Sequence, residues 1–162
     1  MHYSEMTGSK PKLSLEVVPQ SNWGTNLRSR LSQKDWDKLR RAEYRRAKNL
    51  CEICGSSGLK QRFNYPVECH EIWHYDDSTH IQALQGLIVL CPWCHQVKHF
   101  MRSELVGLRD QAMLQLMLVN GWTTRQAEEH VEDAKIQWAE RSRYKWKLDL
   151  SWLATNKGLE IT

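Results

Sequence analysis

The chain has 162 residues, 41% of them apolar, a size that suits one domain with a modest core. No run approaches the roughly 20 apolar residues of a membrane span, and the opening MHYSEMTGSK lacks an apolar signal core, so a membrane or secreted protein is not expected and a cytoplasmic one is. The net charge is +4 but uneven: Arg28 to Lys48 hold nine Lys/Arg against Asp35, Asp37 and Glu43, a local +6 that leaves the rest of the chain at −2. Charge runs are often solvated helix faces, yet this one lies just ahead of a cysteine pair, which favours a polyanion-binding surface through Arg40, Arg41, Arg45 and Arg46.

In chain order, residues 1–12 are rich in Gly, Ser, Lys and Pro and read as a flexible leader to a single domain over 13–162. "LSLEVV" (13–18) alternates apolar and polar residues, the pattern of a strand. Ser32 followed by Asp35 opens a basic helix over about 33–48, with Trp36, Leu39 and Ala47 on its inner side. A metal-rich core follows over 49–102. Over 103–119, Leu105, Leu108, Ala112, Leu116 and Val119 recur at helical spacing and stop at Asn120-Gly121. Thr123 with Gln126 opens a second helix whose inner face is Ala127, Val131, Ala134 and Trp138, so 103–143 reads as a helical hairpin. It is a poor DNA-reading helix-turn-helix, because Glu128, Glu129, Glu132 and Asp133 would face the phosphates. "WKLDLSW" alternates and predicts a terminal strand over 145–153, packed near the first. Most of the eight tryptophans fall on inner faces, which predicts core roles for five or more.

Four of the five cysteines form two C-x-x-C pairs, Cys51/Cys54 and Cys91/Cys94, separated by 36 residues. In a reducing compartment that spacing indicates a closed tetrahedral zinc site with a structural role, with Gly55 and Gly58 shaping the first turn. Such a site needs no imidazole. His95 and His99 then lie four residues apart on one helical face, half of a second metal site. Its other residues are sought in "VECHEIWHYDD" (67–77), where a strand would turn Val67, Cys69 and Glu71 one way and Glu68 and His70 the other.

Cys51-x-x-Cys54, Cys69-His70 and Cys91-x-x-Cys94-His95-x-x-x-His99 together resemble the HNH endonucleases of the ββα-metal class with paired cysteine knuckles. The resemblance implies an α+β fold: a small ββα-metal nuclease core with a structural zinc site, flanked by the basic helix, the helical hairpin and the terminal strand. It implies that His70 is the general base and that His95 and His99 hold a catalytic divalent ion, Mg²⁺, Mn²⁺, Ni²⁺ or Zn²⁺. Cys69 stands where the family has Asp or His; it either ligates that ion, favouring a softer metal, or is buried while Asp76 or Asp77 completes the site. The family's middle asparagine has no counterpart between Cys69 and Cys91, so Gln82, Gln85, His80 or the backbone would have to orient His70. The implied activity is hydrolysis of DNA phosphodiesters, with Lys98 and the basic helix gripping a duplex at low sequence specificity. A homodimer or larger nucleoprotein complex is left open. The alternative is a non-catalytic, zinc-stabilised module that binds DNA or protein.

Overall fold

The computed structural model describes residues 10–161, an α+β arrangement with seven α-helices and one three-stranded sheet among them. The predicted leader lies largely outside the described residues. After a short turn at Gln20–Asn22 the chain forms α1 (Leu27–Arg30) and α2 (Gln33–Arg46). Helix α2 starts at Ser32, whose side chain accepts from the Asp35 amide, and it buries Trp36 and Leu39.

The sheet is an antiparallel hairpin of β1 (Glu68–Asp76) and β2 (Ile81–Leu90), with β3 (Lys147–Asp149) added parallel to β2. The turn between β1 and β2 is closed by Asp76, whose Oδ1 accepts from the Ser78 and Thr79 amides and the Ser78 hydroxyl. Helix α3 (Pro92–Lys98) follows β2 directly, with Cys91 as N-cap and Pro92 in the first turn, where its missing N–H costs nothing. Then come α4 (Phe100–Leu105), α5 (Arg109–Asn120), α6 (Thr124–Arg141) and α7 (Ser151–Lys157).

Two apolar clusters hold these elements. One joins Leu13, Leu15 and Val17 to α3, α5, α6 and the cysteine knuckles; the other joins α1, α2 and α7 to Cys69 and Leu84 of the sheet. Seven of the eight tryptophans are buried or half-buried, Trp36 and Trp146 most deeply; Trp23 is exposed. Helix α6 opens with the expected capping box, Thr123 and Gln126 each accepting the other's amide, and α5 ends on Gly121 at φ +65°.

Three expected elements differ. Residues 13–18 are extended and buried on the alternating side, but among the described residues they pair with no strand. Their backbone is satisfied by side chains and a helix end instead: Asn120 bonds both polar groups of Leu13, His130 accepts from the Leu15 amide, the Lys98 carbonyl accepts from the Glu16 amide, and Arg141 donates to the Val17 carbonyl. The helix expected over 103–119 is broken at Gly107, φ +80°, leaving Leu105 76% exposed rather than in the core. The terminal strand covers only 147–149 and its neighbour is β2; Asp149 accepts from the Ser151 amide and turns the chain into α7. Just beyond the first segment, the Ser21 hydroxyl accepts from the Trp146 amide, next to this strand.

Candidate metal centres

The first cysteine pair lies beyond α2, where Lys48 and Asn49 both adopt left-handed backbone and reverse the chain. Gly55, φ +75°, closes the first knuckle, its amide donating to the Cys51 carbonyl. Gly58 serves differently from the expected turn. A Cβ there would collide with the Tyr65 carbonyl oxygen, so only glycine lets these two stretches cross. The second pair caps α3. Glu52 joins the two by exchanging backbone and side-chain bonds with Val89 at the end of β2.

The sulfur atoms of Cys51, Cys54, Cys91 and Cys94 lie within 4.8 Å of one another, mostly buried, a group positioned for a structural metal such as zinc. The donor set fits that role. The Cys54 and Cys94 amides point at the Cys51 and Cys91 sulfurs, at 3.5 and 3.4 Å, as they do around thiolates, and the buried Gln115 of α5 donates to Cys94 Sγ at 3.3 Å. The sequence reading does not single out Gln115, although its place three residues after Ala112 and four before Val119 puts it on the apolar side of the helix, the signal of a buried polar group.

His70 from β1 and His95 and His99 from α3 and its end form a second cluster, with one ring nitrogen of each within 4.8 Å of the others. The four-residue spacing brings the Nε2 atoms of His95 and His99 to 3.1 Å. Glu68 holds His95 by its other nitrogen, Nδ1, at 2.9 Å, an orienting carboxylate of the kind found behind metal-binding imidazoles. Burial, reinforced by His95 and His70, pushes the His99 pKa down to about 3, so its ring stays neutral with a lone pair to offer. His70 is only 2% exposed. Burial opposes its charge, but the adjacent carboxylate of Glu16 outweighs that and raises its pKa.

The cluster lies along one wall of a cleft of about 830 Å³ that runs between α1/α2 and α3/α4. Among the expected phosphate-binding residues, Arg40 and Lys98 line this cleft, and Arg28 and Arg102 join them. Arg41 and Arg45 are exposed outside it. Both Arg40 and Arg46 carry ion pairs: Arg40 pairs with Asp37, and Arg46 pairs with Glu43 and with both oxygens of Glu52, bracing the knuckle outside the cleft. Lys98 is largely buried, with Nζ 3.4 Å from the Ser14 hydroxyl, and burial lowers its pKa.

Of the two roles expected for Cys69, ligand or buried thiol, it takes the buried one. Strand alternation turns it away from the histidines into the cluster of Leu27, Leu31, Trp36 and Leu39, where burial pushes its thiol up to about 12. It borders the cleft without joining the histidine nitrogens. Neither aspartate takes its place, since Asp76 closes the β-turn and Asp77 pairs with Arg141. Two of the partners expected to orient His70 are engaged elsewhere. Gln82 pairs with Asn22, and His80 stacks on Tyr144. No profile of a known protein family, no curated protein and no solved structure matches the chain. Among the described residues no helix is long and apolar enough to cross a membrane.

Proposed function

We propose that the chain is a metal-dependent DNA endonuclease of the HNH type, with a ββα-metal core formed by β1, β2 and α3. The observation that carries this reading is the convergence of His70, His95 and His99 in a cleft that also holds Arg28, Arg40, Lys98 and Arg102. Phosphodiester hydrolysis needs a base for water, a cation at the leaving oxygen and positive charge for the backbone. In this reading His95 and His99 hold a divalent ion, which supplies Lewis acidity at the scissile phosphate. His70 takes the proton from water, and the four cationic side chains fix the strand by its phosphates without reading bases. The four-cysteine group keeps α3, and hence both of its histidines, in register with β1.

The test is incubation of supercoiled plasmid with the zinc-loaded chain and Mg²⁺, Mn²⁺, Ni²⁺ or Zn²⁺ in turn. Cleavage with at least one ion, abolished in His99→Ala, is expected. A chain that takes up no second ion and cleaves with none is a zinc-stabilised binding module instead.

A further inference from the structure

The N-terminal segment is more than core filling, because its alternation aims one acidic residue at the site. Leu15 and Val17 point into the core, and Glu16 between them lines the cleft. The Glu16 backbone is clamped at three successive points: His130 holds the Leu15 amide, the Lys98 carbonyl takes the Glu16 amide at 3.1 Å, and Arg141 holds the Val17 carbonyl. A carboxylate on so fixed a backbone is delivered to one place with little freedom to wander. That place is His70, whose Nε2 lies 2.5 Å from Glu16 Oε2.

A second carboxylate competes for the same ring. Glu71 Oε2 lies 3.9 Å from His70 Nδ1, too far for a hydrogen bond, and its other oxygen already accepts from the Leu27 amide at 2.9 Å. Among the described residues, His70 Nδ1 is buried with no hydrogen-bond partner. A carboxylate only accepts, so a neutral His70 beside Glu16 carries its proton on Nε2 and keeps its lone pair on Nδ1.

We propose that Glu16 is the positioning residue of the site: it fixes the ring and tautomer of His70 so that Nδ1 is the nitrogen free to accept a proton. This deepens the nuclease reading and rests on it for its catalytic consequence. It also assigns the orienting role to a residue 54 positions upstream, outside the cysteine and histidine motifs altogether. Without the Glu16 acceptor, the nearest carboxylate is that of Glu71, and a proton drawn to Nδ1 would occupy the lone pair the base needs.

The test compares Glu16→Gln and Glu16→Met in the full zinc-loaded chain. The two side chains are of similar length, and only the glutamine offers an oxygen to the Nε2 proton. Nitrogen-15 spectra of histidine-labelled protein read the His70 tautomer, the signal being identified by its loss in His70→Ala. The wild type and the Gln variant should show the Nε2-protonated form, and the Met variant should lose it. Plasmid cleavage by the Met variant should fall in kcat by about 10–100-fold, the usual scale for losing the outer partner of an essential histidine, with KM nearly unchanged and substantial recovery in the Gln variant. A Met variant with the wild-type tautomer and wild-type kcat would overturn the assignment. If the wild type cleaves nothing with any divalent ion, the nuclease reading falls, while the spectra still decide whether Glu16 sets the state of His70.

Discussion

Gln115 Nε2 lies 3.3 Å from Cys94 Sγ, so α5 is latched to a sulfur of the four-cysteine group 21 residues before it. A donor aimed at a thiolate stabilises its charge and fixes its direction, and both raise affinity for a cation. Gln115→Leu should therefore weaken zinc binding about 10-fold or more, as read by competition with a chromophoric chelator. Cys94→Ser should go further and remove folding energy outright, because a structural zinc site contributes directly to the fold. Native melting and full zinc content in Cys94→Ser would rule out the structural role.

Gly58 offers a test of the loop that carries the first knuckle toward β1. An alanine methyl there would collide with the Tyr65 carbonyl and press on the Pro92 ring at 3.0 Å, and backbone cannot yield as a flexible side chain does. Gly58→Ala should cost about 3 kcal/mol, the upper end of overpacking penalties, seen as a lower urea midpoint. The same substitution at Gly86, where the nearest atom is Ile72 Cδ1 at 3.6 Å, meets no comparable clash. Equal midpoints for the two variants would show that the crossing can relax.

How far the sequence reveals this molecule depends on the range of the interaction. Ser32, Asn120-Gly121 and the Thr123/Gln126 box are local hydrogen-bond devices, and each marks the helix end expected of it. The C-x-x-C and His-x-x-x-His spacings are local too, and they mark the two halves of the cysteine group and two of the three clustered histidines; His70, expected as a base rather than as a member of the group, and the exclusion of Cys69 depend on how β1 packs on α3. Residues 13–18 show the limit. Alternation reveals that Leu13, Leu15 and Val17 share a buried side, but whether the backbone finds a ladder or is held by Asn120 and His130 depends on helices more than 100 residues away. Glu16 escapes a sequence reading for the same reason. The motif puts Cys69 beside the metal, whereas the strand's own parity already turns it from His70.

Cys69 should behave as a buried thiol rather than a ligand. Burial pushes its pKa up to about 12, so at pH 8 it stays a thiol, and the residue is 9% exposed. Iodoacetamide should leave it unmodified in the folded, zinc-loaded chain and label it on denaturation. Cys69→Ala should leave uptake of a second ion and any cleavage unchanged, at a cost of about 1 kcal/mol in stability for the small cavity. Loss of the second ion in this variant would return Cys69 to the site.

The two kinds of histidine should separate by what each variant loses. His99→Ala removes half of the facing Nε2 pair and should abolish binding of an exchangeable ion while the zinc of the four cysteines stays, as metal analysis after dialysis would show. His70→Ala should keep the ion and cut turnover about 100-fold or more, the scale of a lost general base. Near-wild-type cleavage by His70→Ala would remove the base from the mechanism.

The number of active parts predicts the form of the product. Each chain has one group of three histidines among its described residues; on the proposed nuclease reading it would provide one base and attack one strand at a time. The cations that line the cleft, Arg28, Arg40, Lys98 and Arg102, are suited to phosphates, and contacts of that kind set register without reading sequence. Supercoiled plasmid sampled early, at low protein concentration, should therefore give open circles before linear molecules, with nicks spread over many sites. Arg40→Ala should raise KM and flatten the dependence on salt by about one phosphate contact, whereas Arg46→Ala, which breaks a brace between α2 and Glu52, should lower stability first. Linear product at the first time point, or cuts at a single site, would mean that two chains act together or that a base-reading surface lies elsewhere on the molecule.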